Sequence, residues 1–219
     1  MSESSSLLVR KVLSMLMLQD EMNSTVDSNW RAHQREWYRA IWIECAELME
    51  HYGGWKWWKH STQDIEQSVL EVVDIWHFGL SLLLNAEDDV ELIARRLAED
   101  WEQSSIRHDF RAEVERLATA ALSEKRFDAG ATRSLMACCD RGFDDLYRAY
   151  VGKNCLNVFR QDHGYREGTY RKVWNGREDN EVLSDLLREL DPDSPDFRQD
   201  IYAALSGAYR QTEPNSEDA

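Results

Sequence analysis

Apolar residues recur every three or four positions along most of the chain, a period that fits helices and excludes a sheet as the main element. Leu8, Val12, Met15 and Leu16 share one such face with two polar residues, Gln19 and Asn23. The pattern breaks over 24–29 and resumes, predicting a second helix over about 31–52 that Gly53-Gly54 ends. A connector of unusual texture, Trp55-Lys56-Trp57-Trp58-Lys59, leads to a third helix over about 63–84. Amphipathic spacing continues over 88–102, 106–123 and 132–151, and shorter helices are expected near 180–189 and 196–207. Three prolines and ten glycines leave few places for tight turns. No strand-like alternation persists, and no internal repeat is found. The expected fold class is all-α, and 219 residues suit one domain, with or without a satellite lobe. Residues 211–219 are polar and read as a disordered tail.

The charge balance narrows the partners. With 26 basic and 41 acidic residues the formal charge is −15, which repels phosphate backbones and anionic lipid. Nucleic acid and membrane surfaces are therefore excluded as first expectations. The four cysteines, Cys45, Cys138, Cys139 and Cys155, form no C-x-x-C pair and read as buried free thiols in a reducing compartment. No cleavage site follows the short apolar stretch 12–18, and no segment is read as a membrane span. The chain is expected to be soluble and cytoplasmic.

Two carboxylate pairs stand out. Glu44 and Glu47 lie three residues apart on the second helix, and Glu71 and Asp74 repeat the spacing on the third. Residues i and i+3 project from one helix face as neighbours. Ile41, Ile43, Ala46 and Leu48 flank the first pair, and Leu70, Val72, Val73, Ile75 and Trp76 flank the second. These are the surroundings of an interior, not of a solvated charge stripe. Four anions facing one another there repel strongly, and cations resolve the repulsion. Hard oxygen donors without cysteine favour Mg²⁺ or Mn²⁺ over zinc or copper. A competing reading takes Asp74 and His77 as half of a di-iron motif, but the second copy that such a bundle needs is missing.

Residues 153–177 reverse the charge of the chain: Lys153, Arg160, Arg166, Arg171, Lys172 and Arg177 stand against Asp162 and Glu167. Glycines are interspersed, and Asn157, Asn180, Tyr165 and Tyr170 add neutral donors suited to a sugar. Alone, the segment reads equally as a solvated loop. Beside a carboxylate cage it reads as a phosphate-holding element, the pairing that phosphoryl transfer needs.

These stretches together resemble the dimeric all-α dUTPases, relatives of the MazG-like nucleotide pyrophosphohydrolases. The likeness rests on Leu18-Gln19-Asp20 with Asn23, on the run from Trp37 to Glu47, on His51 to Lys59, on Val73 to Phe78, and on the 153–181 segment. The family has a single glycine before Trp-Lys-Trp-Trp where this chain has Gly53-Gly54. The resemblance implies hydrolysis of dUTP and dUDP to dUMP by a homodimer with two or more Mg²⁺ ions per site. It implies a rigid core over about 6–125 and a smaller mobile helical lobe over about 126–210 that closes over deoxyuridine nucleotides. Glu44, Glu47, Glu71 and Asp74 match the metal ligands, with Glu47 or Glu44 orienting the attacking water. Gln19 and Asn23 match the positions that read uracil, and Phe78 the position that stacks on it. Lys153, Arg160, Tyr165, Lys172 and Asn180 match positions that hold phosphates and sugar, and Asn157 a position beside the 3′-hydroxyl.

Core packing is expected for Trp42 and Trp76, and core or interface for Trp55, Trp57 and Trp58. His51 and His77 are expected to support the site or pack in the core rather than bind metal. A broader dNTP pyrophosphohydrolase and a non-catalytic dUTP-binding regulator are the alternatives.

Overall fold

Four aspartates start four of the helices. In the computed structural model, which describes residues 3–192, 194 and 196–212, Asp64, Asp89, Asp109 and Asp128 each accept a bond from the backbone N–H three residues on. Such a side chain satisfies one of the N–H groups that a helix start leaves without an internal partner. The elements in chain order are α1 (Glu3–Val26), α2 (Trp37–Tyr52), α3 (Ile65–Ala86), α4 (Val90–Gln103), α5 (Phe110–Glu124), α6 (Ala129–Cys138), α7 (Phe143–Asp162), β1 (Val173–Trp174), β2 (Arg177–Glu178), α8 (Asp179–Glu189) and α9 (Phe197–Arg210). The all-α expectation holds. Two compact units emerge, Met1–Tyr150 and Val151–Ala219, divided within α7. The expected core-and-lobe boundary near 125 concerns motion; as packing, α6 belongs with α3, α4 and α5.

In the first unit α2 packs along α3 and against α5, while α1 packs on α3 and α4. Met15, Leu16, Ile41, Leu48, Ile75, Trp76, Leu80, Leu84, Leu117 and Leu135 are fully buried there. Trp76 meets the edges of Trp101 and Phe127 at ring distances of 5.6 and 5.3 Å. In the second unit Phe159 is the centre, ringed by His163, Tyr170, Trp174, Tyr202 and Tyr209.

Several expectations need correction. Residues 31–34 are turn and 35–36 irregular, not the start of α2. Asp27 draws the chain round on itself, bonding Arg35 at 2.7 Å, His33 at 2.6 Å and the N–H of Asn29 at 3.1 Å. Trp30 is buried in the same turn, with its indole N–H 3.1 Å from Asp20. The helix expected over 132–151 is two helices, parted where Asp140 takes a φ of 55° and Gly142 bonds the side chain of Asp145. A short antiparallel hairpin occupies 173–178, where no strand was expected. Asn175 and Gly176, at φ of 51° and 81°, form its two-residue turn. α3 is long and apolar enough to cross a membrane by length and composition, contrary to the sequence reading; 67% of that window is buried inside the protein, as in a core helix. Trp57, at 89% exposure, and Trp58, at 59%, are not core residues of the chain. Trp76 is core, as expected, whereas Trp42 is only half-buried. Of the polar tail, Gln211 and Thr212 follow α9, and 213–219 lie outside the described residues, as do residues 1–2.

The turn between α2 and α3 brings the carboxylate pairs together. Gly53 caps α2 with φ 68° and ψ −170°, a conformation open essentially to glycine. Its carbonyl accepts from Arg111, and Asp64 N–H closes the connector onto the carbonyl of His51 at 2.9 Å. Gly54 repeats the positive φ and bonds the hydroxyl of Ser61. The paired glycines thus serve two consecutive left-handed positions.

Candidate active site

On the facing sides of α2 and α3, carboxylate oxygens of Glu44, Glu47 and Glu71 lie within 4.8 Å of one another. Glu71 is buried, Glu44 and Asp74 half-buried and Glu47 exposed. Burial pushes the Glu44 carboxyl up to about 8, with the charges of Asp74, Glu71 and Glu47 adding to the effect. Burial and neighbouring like charge both disfavour the ionised carboxylate there. His51 Nε2 sits 3.5 Å from Glu71 Oε1. The donor set is hard oxygen, with Cys45 buried behind it and pushed up to about 12 by desolvation. A divalent cation fits this chemistry, because it stabilises the ionised form of a carboxylate that burial and neighbouring anions disfavour. The apolar flank is less enclosed than its sequence suggests: Ile43 and Ala46 are exposed, and with Met49, Glu50 and Trp55 they line an open cavity of about 560 Å³ beside Glu47.

Gln19 and Asn23 lie one turn apart on α1, both buried, and bond each other: Gln19 Nε2 donates to Asn23 Oδ1 at 3.0 Å. Asn23 Nδ2 donates to Ser81 Oγ at 3.0 Å, and Ser81 in turn donates to the carbonyl of His77. Gln19 Oε1 lies 2.7 Å from His77 Nδ1 and 3.0 Å from the hydroxyl of Tyr150, whose ring stacks on His77. Phe78, half-buried on α3, stacks near Trp37 at a ring distance of 6.2 Å. Both carboxamides are therefore tied into one hydrogen-bonded network on the buried face of α1.

In the second unit the expected phosphate and sugar residues form their own network. Asp179 is fully buried and takes Arg160 through two bonds of 2.8 Å, plus the hydroxyl of Tyr170 at 2.7 Å. Arg160 also donates to Asn157 Oδ1 at 3.2 Å and Asn180 Oδ1 at 3.3 Å, and lies over the ring of Tyr165. Four of its five N–H groups are thus engaged. Because Arg160 takes the oxygens of both carboxamides, their NH₂ groups face away from it. Lys153 is buried on α7, and Lys172 pairs with Glu178 at 3.2 Å. Asp179, Ser81 and Tyr150 were not singled out from sequence. Tyr150 is 131 residues from Gln19, and nothing local marks the pair. Ser81 shares a helix face with His77, a spacing that could have suggested it.

A family model described as dUTPase matches residues 11–165. The matched stretch takes in both carboxylate pairs, Gln19, Asn23, Phe78, Lys153, Asn157, Arg160 and Tyr165; Lys172 and Asn180 lie beyond it. Comparison with curated proteins finds no relative. A match over well above half of the chain, on an all-helical fold with a carboxylate cluster that suits this generally metal-dependent family, shows that the chain belongs to the all-α dUTPase family, whose activity is hydrolysis of dUTP.

Proposed function

We propose that this protein is a Mg²⁺-dependent dUTP diphosphatase that converts dUTP to dUMP and pyrophosphate, and dUDP to dUMP and phosphate. The observation that carries this reading is the meeting of Glu44, Glu47 and Glu71 within 4.8 Å inside the matched stretch. Glu44, Glu47, Glu71 and Asp74 would hold two or more Mg²⁺ ions. Bound there, Mg²⁺ supplies positive charge toward the phosphate oxygens and makes nearby water more acidic.

The chain's own residues do the rest. Glu47, exposed at the cluster's edge, accepts a proton from the attacking water and orients it, with Glu44 as its neighbour. Water attacks in line at phosphorus, the phosphoanhydride P–O bond breaks to release pyrophosphate from dUTP or phosphate from dUDP, and Lys153, Arg160 and Lys172 offset the charge the leaving group gains. Gln19 and Asn23 hold the uracil edge and Phe78 covers its face. Asn157, Tyr165 and Asn180 hold the sugar and phosphates through neutral donors. The exposed Trp55, Trp57, Trp58 and Ile43 support a homodimer, since an apolar patch of this kind favours burial against a partner. A cytoplasmic enzyme of this kind limits uracil in DNA and supplies dUMP.

Comparative turnover of dUTP, dUDP, dCTP and dTTP tests the reading. Preference for the two deoxyuridine nucleotides supports it. Equal turnover of all four replaces it with a broader dNTP pyrophosphohydrolase, and binding without dUMP release replaces it with a regulatory protein.

A further inference from the structure

Uracil and cytosine differ along the edge that a protein reads. Uracil offers acceptor, donor, acceptor across O4, N3–H and O2; cytosine offers donor, acceptor, acceptor. A carboxamide can meet either pattern by rotating half a turn, so Gln19 and Asn23 discriminate only if something prevents that rotation.

The hydrogen bonds around them supply the constraint. Ser81 is fully buried and its hydroxyl donates to the carbonyl of His77 at 3.0 Å. A carbonyl cannot donate, so the single hydroxyl proton is committed and Ser81 Oγ can only accept from Asn23. Asn23 must therefore turn its NH₂ toward Ser81, at 3.0 Å, and its oxygen toward Gln19 Nε2, at 3.0 Å. Gln19 then turns its oxygen toward His77 Nδ1, 2.7 Å away, which fixes the proton on that ring nitrogen. After these bonds, one N–H of Gln19, one lone pair of Asn23 Oδ1 and one N–H of Asn23 are left over. The set is donor, acceptor, donor, the complement of uracil. Reversing both carboxamides gives acceptor, donor, acceptor, which meets cytosine at N4 and N3 and repels uracil at O4 and N3.

We propose that Ser81 is a specificity-determining residue that fixes the amide polarity of Asn23, and through it that of Gln19, so that the pocket accepts uracil and rejects cytosine. The proposal rests on the reading of Gln19 and Asn23 as base contacts. Ser81 itself acts through Asn23 and is a positioning residue.

The test is the ratio of kcat/KM for dUTP over dCTP in the wild type, Ser81→Ala and Ser81→Thr. Losing one buried hydrogen-bond anchor lowers the ratio about tenfold in Ser81→Ala, mainly through a higher KM for dUTP and a lower one for dCTP. Ser81→Thr, which keeps the hydroxyl, retains the ratio. If Ser81→Ala does not fold, as judged by circular dichroism, Ser81→Cys keeps the volume with a far weaker bond and should show the same fall. A ratio unchanged in the folded alanine or cysteine variant, with dUTP preference intact, overturns the role of Ser81 while leaving the uracil reading standing. A wild type without preference for dUTP over dCTP overturns the uracil reading itself.

Discussion

Arg160 and Asp179 meet edge to edge, Nε on Oδ2 and Nη2 on Oδ1, both at 2.8 Å, with the carboxylate fully buried. Tyr170 shares the same carboxylate, and burial and that charge push its phenol well up. Removing one partner of such a pair strands the other without compensation. Asp179→Ala is expected to cost about 3 kcal/mol of unfolding free energy, read by urea denaturation. It should also raise the KM for dUTP, because Arg160 would lose the alignment that sets Asn157 and Asn180.

Gly53→Ala should cost about 2 kcal/mol, since φ 68° with ψ −170° suits glycine alone. A Cβ there would meet Ser61 Oγ at 3.0 Å and the Thr62 carbonyl at 3.3 Å. A lower midpoint in urea with an unchanged slope is the expected result, with weaker metal affinity because the turn sets α2 against α3.

The features legible from sequence were the local ones. Glu44 with Glu47, and Glu71 with Asp74, were found because spacing within one helix fixes which residues share a face. The same logic gave the buried face of α1 through Val12, Met15 and Leu16. Tyr150 and Ser81 reach Gln19 and Asn23 only through tertiary packing, which periodicity does not report. The stretch 31–36 does not continue into helix because side-chain bonds from Asp27 to Arg35, His33 and the Asn29 N–H outweigh weak helix propensity there. The hairpin at 173–178 had a local signal, Asn175-Gly176, set among aromatic and basic residues that suggested only a loop.

Thiol chemistry should be confined to one residue. Cys45, Cys139 and Cys155 are buried, and burial pushes Cys45 up to about 12 and Cys139 to about 11. Cys138 is partly exposed, with its thiol 3.5 Å from the carbonyl of Arg107. Iodoacetamide on the native protein is expected to alkylate Cys138 first, slowly because its thiol is also raised, and the other three only after unfolding. Peptide mass mapping checks this order.

Acid should loosen the turn at Asp27. The Arg35 guanidinium, the Asn29 N–H and His33 hold its carboxyl down at about 2, against an ordinary 3.8. The folded state therefore binds this proton less readily than the unfolded one. The stabilisation is complete above the ordinary value and disappears as the pH falls toward about 2. Asp27→Asn should be less stable than the wild type at neutral pH and lose less on acidification, a difference that thermal melts at stepped pH will show.

The most direct test of the carboxylate cluster as the centre of dUTP hydrolysis is dUMP release from dUTP, with Mg²⁺ and with chelator, for the wild type and Glu47→Gln. Turnover that needs Mg²⁺ and falls about a hundredfold or more in the variant, with helical circular dichroism unchanged, is the expected result. Turnover that persists in chelator, or that survives intact in Glu47→Gln, would contradict it.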